Sequence, residues 1–205
     1  MIKPFLSLPR NLNIFTAKRI HLKPYYLVRK VEYTFSMPFP SDEFNDIVSA
    51  NLEFVENFKH SGLTGTARKG LAIVTCMDSR ISPLAVVGMQ AGDAKILRNA
   101  GARVTDDVLR TLVLASYLLG VNRVLVMPHT DCRMASADEA TIHATIKDQF
   151  GVDTRSLEFR TVSDQRSALA IDVTRIRTYP LLQKGVSVAG AVYNVSTGQL
   201  EPVDC

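Results

Sequence analysis

Three residues of this 205-residue chain could together bind a transition metal. Cys76 follows the run LAIVT directly, His129 follows RVLVMP directly, and Cys132 lies three positions beyond His129. Two thiolates and one imidazole are a preferred donor set for zinc, and a His and a Cys separated by two residues can turn toward one ion from a single loop. Three protein ligands leave one tetrahedral position for water, which is the catalytic arrangement rather than the structural one. Taken singly, each half has a plainer reading: HxxC spacing recurs by chance, and a cysteine at a strand end commonly serves as a small buried hydrophobe. The halves reinforce each other because both stand at carboxyl ends of strands, where open α/β sheets bind ligands. Asp78 and Arg80, just after Cys76, can pair bidentately and hold a carboxylate beside the metal. Their plainer reading is a surface ion pair of little worth.

The elements that must place these residues alternate along the chain. Ser41 reads as an N-cap, Asp42 and Glu43 as first-turn acids, and Phe44, Ile47, Val48, Leu52, Val55 and Phe58 as the apolar face of a helix that His60-Ser61-Gly62 ends. LAIVT is short, apolar and rich in β-branched residues, so it reads as a buried strand. ISPLAVVGMQ reads as a short helix, AKILR as a second strand, and VTDDVLRTLVLASYLLG as a helix. There Thr105 is the N-cap, Asp106 and Asp107 favour the positive end of the dipole, and Gly120 is the stop. RVLVMP is a third strand, residues 136–149 and 163–178 read as helices, and VSVAGAVYNV runs through STG into a hairpin. Strands alternating with helices through short connections imply parallel pairing by right-handed crossovers. The expectation is a single α/β domain over residues 41–205, a mostly parallel central β-sheet flanked by helices, with an N-terminal helical arm.

Composition narrows the function classes. At 46% hydrophobic and 21% charged the chain has the make-up of an ordinary globular domain. The longest apolar stretches, such as 111–121, stop short of the roughly 18–20 residues of a bilayer span, which argues against a membrane-spanning helix. Cysteines at 76, 132 and 205 are too few and too scattered for a disulfide framework and suit a reducing compartment. The net charge of +4 is concentrated: residues 1–31 carry seven basic residues and no acid, leaving 17 of the 24 basic residues to set against all 20 acidic ones. With the body net acidic, nucleic acid is not an expected partner. Residues 1–36 form a basic extension, acid-free through Val31 and interleaved with Leu, Ile, Phe and Tyr, like a mitochondrial presequence, which directs the expectation to the matrix. The alternatives are a disordered extension, or a cytoplasmic product beginning at Met37. Of the remaining reactive types, Cys205 reads as a frayed end, His143 as a surface or interface residue, and His60 as a helix-end residue.

CMDSR at 76–80, RNAG at 98–101 and HTDC at 129–132, with the strand-helix order between them, resemble the β-class carbonic anhydrases over about residues 44–203. The likeness is to the short branch of that family, which also contains carbonyl sulfide and carbon disulfide hydrolases. The resemblance implies one Zn2+ per chain on Cys76, His129 and Cys132, with Asp78 and Arg80 as the catalytic dyad. In that family the aspartate either takes the fourth metal position in a closed, inactive site or pairs with the arginine and leaves the position to water. The implied reaction is reversible hydration of carbon dioxide to bicarbonate by metal-bound hydroxide, with Asp78 accepting its hydrogen and Arg80 keeping Asp78 ionised. The alternatives are hydrolysis of carbonyl sulfide or carbon disulfide by the same hydroxide, and a zinc site that mainly stabilises the fold. The resemblance also implies a homodimer or a higher assembly of dimers. Two departures stand out: Arg133 occupies the position after the second cysteine where the family usually has Gly, and Arg68-Lys69-Gly70 stands where the longer branch places a substrate-binding glutamine before the first strand.

Overall fold

The computed structural model describes residues 39–205; the basic extension 1–36 and Met37 lie outside the described residues. The chain divides into two compact units, Met1–Glu53 and Phe54–Cys205. Of the first, the described part is mostly helix α1 (Ser41–Glu56), which crosses the boundary and has no buried residue. Its apolar face is present as expected but stands exposed, with Ile47, Leu52 and Val55 more than half accessible. Two local expectations fail here. Ser41 is the first helical residue, and its hydroxyl donates to the Phe39 carbonyl (3.3 Å) instead of capping an amide. The helix also stops at Glu56, because Asn57 and Phe58 bond three residues back to Phe54 and Val55, tightening the last turn out of α geometry.

The second unit is a five-stranded sheet in the order β2-β1-β3-β4-β5, built from β1 (Leu71–Cys76), β2 (Ala94–Asn99), β3 (Arg123–Met127), β4 (Ser187–Tyr193) and β5 (Leu200–Val203). The first four pair in parallel, and β5 returns antiparallel to β4 through the expected hairpin. All six residues of β1 are buried, as a central parallel strand covered on both faces must be. One face carries Ala72, Val74, Val124 and Val126 against α3 (Asp106–Leu118) and α5 (Gln165–Arg177), through Leu109, Leu112, Leu169, Val173 and Ile176. The other carries Leu71, Ile73 and Met127 against Val86, Val87 and Met89 of α2 (Pro83–Val86) and its exit. The direction of travel reverses after β2, so the crossover helices fall on opposite faces. Leu112 is fully buried in the first of these cores. Leu112→Ala should cost about 2–5 kcal/mol of unfolding free energy by urea titration; a loss under about 1 kcal/mol would mean that this face is not the core.

Helix boundaries follow capping chemistry. Thr105 accepts from the Val108 amide as expected, and Gly120, in the left-handed region (φ +73°), ends the last turn. ISPLAVVGMQ yields only the four residues of α2, because Gly88 turns left-handed (φ +64°) where the helix would continue. Helix α4 (Glu139–Phe150) starts three residues later than expected, at the Asp138 cap, and residues 133–135 form a separate 3-10 turn. Asp164 caps α5 by accepting from Ser167 (2.6 Å). Cys205 is not frayed: its carbonyl accepts from Arg177, and its side chain packs at the edge of the α3/α5 core. No described helix is long and apolar enough to cross a membrane.

Candidate metal centre

In a 2-1-3-4-5 strand order the crevice for ligands opens between the carboxyl ends of β1 and β3. Cys76 is the last residue of β1, paired with Asn99 at the end of β2, so the strand runs one residue further than LAIVT. His129 stands two residues beyond β3. There the Tyr193 amide donates to the Pro128 carbonyl (2.9 Å) and the Thr130 amide to the Tyr193 carbonyl (2.9 Å), fastening the loop to β4. Asp131 takes a left-handed conformation (φ +53°), which aspartate tolerates better than most residues, and Cys132 follows at the start of the 3-10 turn.

This brings the two halves of the expected set together. Cys76, His129 and Cys132 are all buried, and their ligand atoms lie within 4.8 Å of one another. The two sulfurs are 4.0 Å apart as free thiols. Thiolates about 2.3 Å from a tetrahedral zinc would sit about 3.8 Å apart, so the spacing suits one ion. His129 Nδ1 lies 2.8 Å from the Thr130 carbonyl. That carbonyl can only accept, which assigns the ring proton to Nδ1 and leaves Nε2 with a free lone pair. Nε2 is buried and has no hydrogen-bond partner among the described residues. An orphaned buried acceptor is costly, and a cation held between it and the two sulfurs removes the cost. Burial above all, and beyond it the neighbouring Cys76 and Asp78, push the Cys132 thiol up to about 11. A divalent cation reverses that preference by stabilising both thiolates, so the donor set fits zinc.

Asp78 and Arg80 form the expected pair. Arg80 donates from Nε to Oδ1 (3.0 Å), from Nη2 to Oδ2 (2.7 Å) and from its own amide to Oδ1 (2.9 Å). These bonds hold the Asp78 carboxyl well below the usual carboxylate range, and Arg80 is held correspondingly far above any physiological pH. Asp78 Oδ2 lies 3.7 Å from His129 Nε2, beside the ligand cluster, with its oxygens engaged by Arg80. Arg80 also reaches the second ligand loop, with Nη1 on Asp131 Oδ2 (2.8 Å) and Nη2 on the Asp131 carbonyl (3.1 Å).

Several supporting residues escape a reading by residue type. RNAG was legible only as part of a likeness, yet each polar group in it has a task. Arg98 bonds loop carbonyls after β1, the Asn99 side chain brackets both the amide and the carbonyl of Arg103, and the Gly101 amide donates to Cys76 Sγ (3.4 Å). Gly101 is left-handed (φ +77°), and a Cβ there would press on Met134 at 3.1 Å, so glycine is what brings this amide onto the sulfur. Gln165, at the start of α5, donates to the His129 carbonyl (2.6 Å) and carries no sequence signal at all. Arg133 lies in helical backbone rather than the left-handed region, so its replacement of the usual glycine strains nothing. It lines a groove of about 550 Å3 beside the two ligand loops, with Met77, Met134, Ile142 and Phe159 among the apolar walls. Arg68-Lys69-Gly70 precedes β1, at the opposite end of that strand from Cys76, with Arg68 paired to Asp93. His143 bonds Thr154 Oγ1 (2.9 Å) and stacks on Phe159, and His60 packs on Phe58; neither belongs to the cluster.

A family profile described as carbonic anhydrase matches residues 71–200. Beta-carbonic anhydrase 1 of Mycobacterium tuberculosis is 35% identical over 162 residues, covering 78% of this chain and 96% of that protein. A carbon disulfide hydrolase of Acidithiobacillus thiooxidans is 30% identical over 152 residues, covering 64% and 76%. The crystal structure of a carbonic anhydrase from Streptococcus mutans superposes with a TM-score of 0.75 at 34% identity, covering 82% of this chain and 100% of that one.

Proposed function

Because the chain belongs to the β-carbonic anhydrase family, a family of lyases, we propose that it hydrates carbon dioxide reversibly to bicarbonate at one zinc ion held by Cys76, His129 and Cys132. The observation that carries this reading is the buried, unpartnered Nε2 of His129 facing two free thiols, with the Arg80-bound Asp78 beside it. Zinc bound there would act as a Lewis acid and bring the pKa of a water down toward about 7, supplying a nucleophile at neutral pH. With a metal held there, the ionised Asp78 would accept a hydrogen bond from that nucleophile and so orient it toward carbon dioxide. Arg80 keeps Asp78 ionised and occupied, so that it does not take the metal's fourth position. The overall reaction would take one water and one carbon dioxide to bicarbonate and one proton, which would pass to solvent. The apolar walls beside the loops suit an uncharged gas.

Asp78 does not titrate in the working range. Its folded-state carboxyl lies below the ordinary value of 3.8, so the pairing favours the folded state fully above that value and fades only as the pH falls below it. Stopped-flow hydration by the zinc-loaded chain should therefore rise across pH 6.5 to 9 with no inflection from Asp78, since the ionisation that sets the rate is that of the nucleophile. A second reading, hydrolysis of carbonyl sulfide or carbon disulfide, draws support from the Acidithiobacillus relative. Brisk sulfide release from either gas with slow carbon dioxide hydration would select it.

The exposed apolar residues of α1 support a homodimer or a higher assembly of dimers. Sedimentation at the 22.6 kDa of one chain would contradict this. The basic extension 1–36, with seven basic residues and no acid before Glu32, supports delivery to the mitochondrial matrix, and a reporter fused to it that stays in the cytoplasm would contradict that.

A further inference from the structure

Arg98 sits near the end of β2, facing the loop that leaves β1. It donates from Nε to the Cys76 carbonyl (2.9 Å), from Nη2 to the Asp78 carbonyl (2.5 Å) and from Nη1 to the Ile81 carbonyl (3.3 Å). All three partners lie on one six-residue stretch, the stretch that carries a metal ligand and the dyad aspartate. Among the described residues Arg98 has no carboxylate partner, unlike Arg68, Arg80, Arg103, Arg110, Arg155, Arg160, Arg166 and Arg175. Its charge and its planar fork are spent wholly on backbone oxygens of this loop.

Asp78 is thereby gripped at both ends, its carbonyl by Arg98 and its carboxylate by Arg80. Among the described residues, the other backbone hydrogen bonds of this loop run from the Met77 amide to the Asn99 carbonyl and from the Ile81 amide to the Asp78 carbonyl. Three carbonyls pointing at one guanidinium cannot rotate independently, so the path from Cys76 to Arg80 has one shape while Arg98 is in place. Lysine could satisfy one or two of these acceptors but could not span all three in a plane.

We propose that Arg98 is a positioning residue for the metal centre: by holding the carbonyls of Cys76, Asp78 and Ile81 it fixes the Cys76 sulfur for the metal and the Asp78 carboxylate for Arg80. The proposal rests on the zinc reading above and deepens it. Arg98 touches neither metal nor substrate; it acts through the loop, as supporting groups around metal ligands do when their removal costs roughly 10–100-fold in metal affinity or activity.

The test uses the full chain loaded with cobalt in place of zinc, comparing the parent with Arg98→Met and Arg98→Lys. The measurements are the visible absorption of the bound cobalt and the rate of metal loss to excess chelator. Arg98→Met should release metal roughly 10–100-fold faster with an altered cobalt spectrum, and Arg98→Lys should fall between it and the parent. Thermal unfolding of the metal-free proteins should differ far less than these rates do. Variants with parental spectra and parental release rates overturn the proposal, as does a lowered melting temperature unaccompanied by any change at the metal. If Arg98→Met does not fold, Arg98→Lys decides alone by the same two readouts. A parent chain that takes up neither cobalt nor zinc overturns the zinc reading itself, an outcome distinct from failure of the Arg98 proposal.

Discussion

A chain carrying His129→Ala is expected to bind zinc more than about 100-fold more weakly than the parent and to hydrate carbon dioxide no faster than buffer does. Loss of a group that merely orients a ligand costs roughly 10–100-fold in affinity, and loss of the ligand itself must exceed that. Among the described residues His129 is one of three protein donors in the cluster, so the two thiols that remain cannot hold the ion in competition with ordinary buffers. The substitution also opens space at a residue with no solvent exposure, so folding is read separately by far-ultraviolet circular dichroism. Cys132→Ser makes a smaller hole and should give the same double loss. Metal analysis after dialysis against chelator, alongside stopped-flow rates, checks both variants. Retention of one zinc per chain and of turnover by either would remove that residue from the centre.

Asp78→Asn should separate the two losses. The carboxylate is not among the three buried donors, so the variant keeps its zinc, while hydration falls by roughly 10²-fold, the cost of a misplaced reacting group. Asparagine preserves the shape but loses the charge that Arg80 holds through its forked bonds, so among the described residues Arg80 keeps Asp131 as its charged partner. A zinc-replete Asp78→Asn chain at near-parental rate would mean that the dyad is only a surface ion pair. If instead the parent itself holds zinc firmly and turns over none of the three gases, the site is structural.

The fold class and the ligand set were legible for the same reason. LAIVT and RVLVMP are apolar runs of strand length, and the first hydrophilic or reactive residues after them must lie at strand ends; when such residues are Cys and His, the sheet itself proposes the site. Both ends of α3 were legible, at Thr105 and at Gly120, whereas the Asp138 cap that delays α4 and the left-handed Gly88 that cuts α2 short were not. Neither residue type announces which of its neighbours it will bond or which side of zero its φ will take. The supporting groups were not legible. Arg98 reaches back 22 residues to Cys76, Arg80 reaches forward 51 to Asp131, and Gln165 reaches back 36 to the His129 carbonyl. Local pattern carries no information about such pairs; they exist only once the parallel crossovers have stacked the strand ends. Arg133 was one of the two departures from the family pattern, and its helical backbone removes the steric ground for suspicion.

The central claim is that three side chains hold one zinc and leave its fourth position to a small oxygen ligand. X-ray absorption at the zinc edge, on the purified full chain with its metal content measured in the same sample, addresses this directly. The expected spectrum has two sulfurs at about 2.3 Å and two nitrogen or oxygen neighbours at about 2.0–2.1 Å, at one zinc per chain. A third sulfur in the shell, or a chain that purifies correctly folded with no zinc and takes up none, would contradict the account.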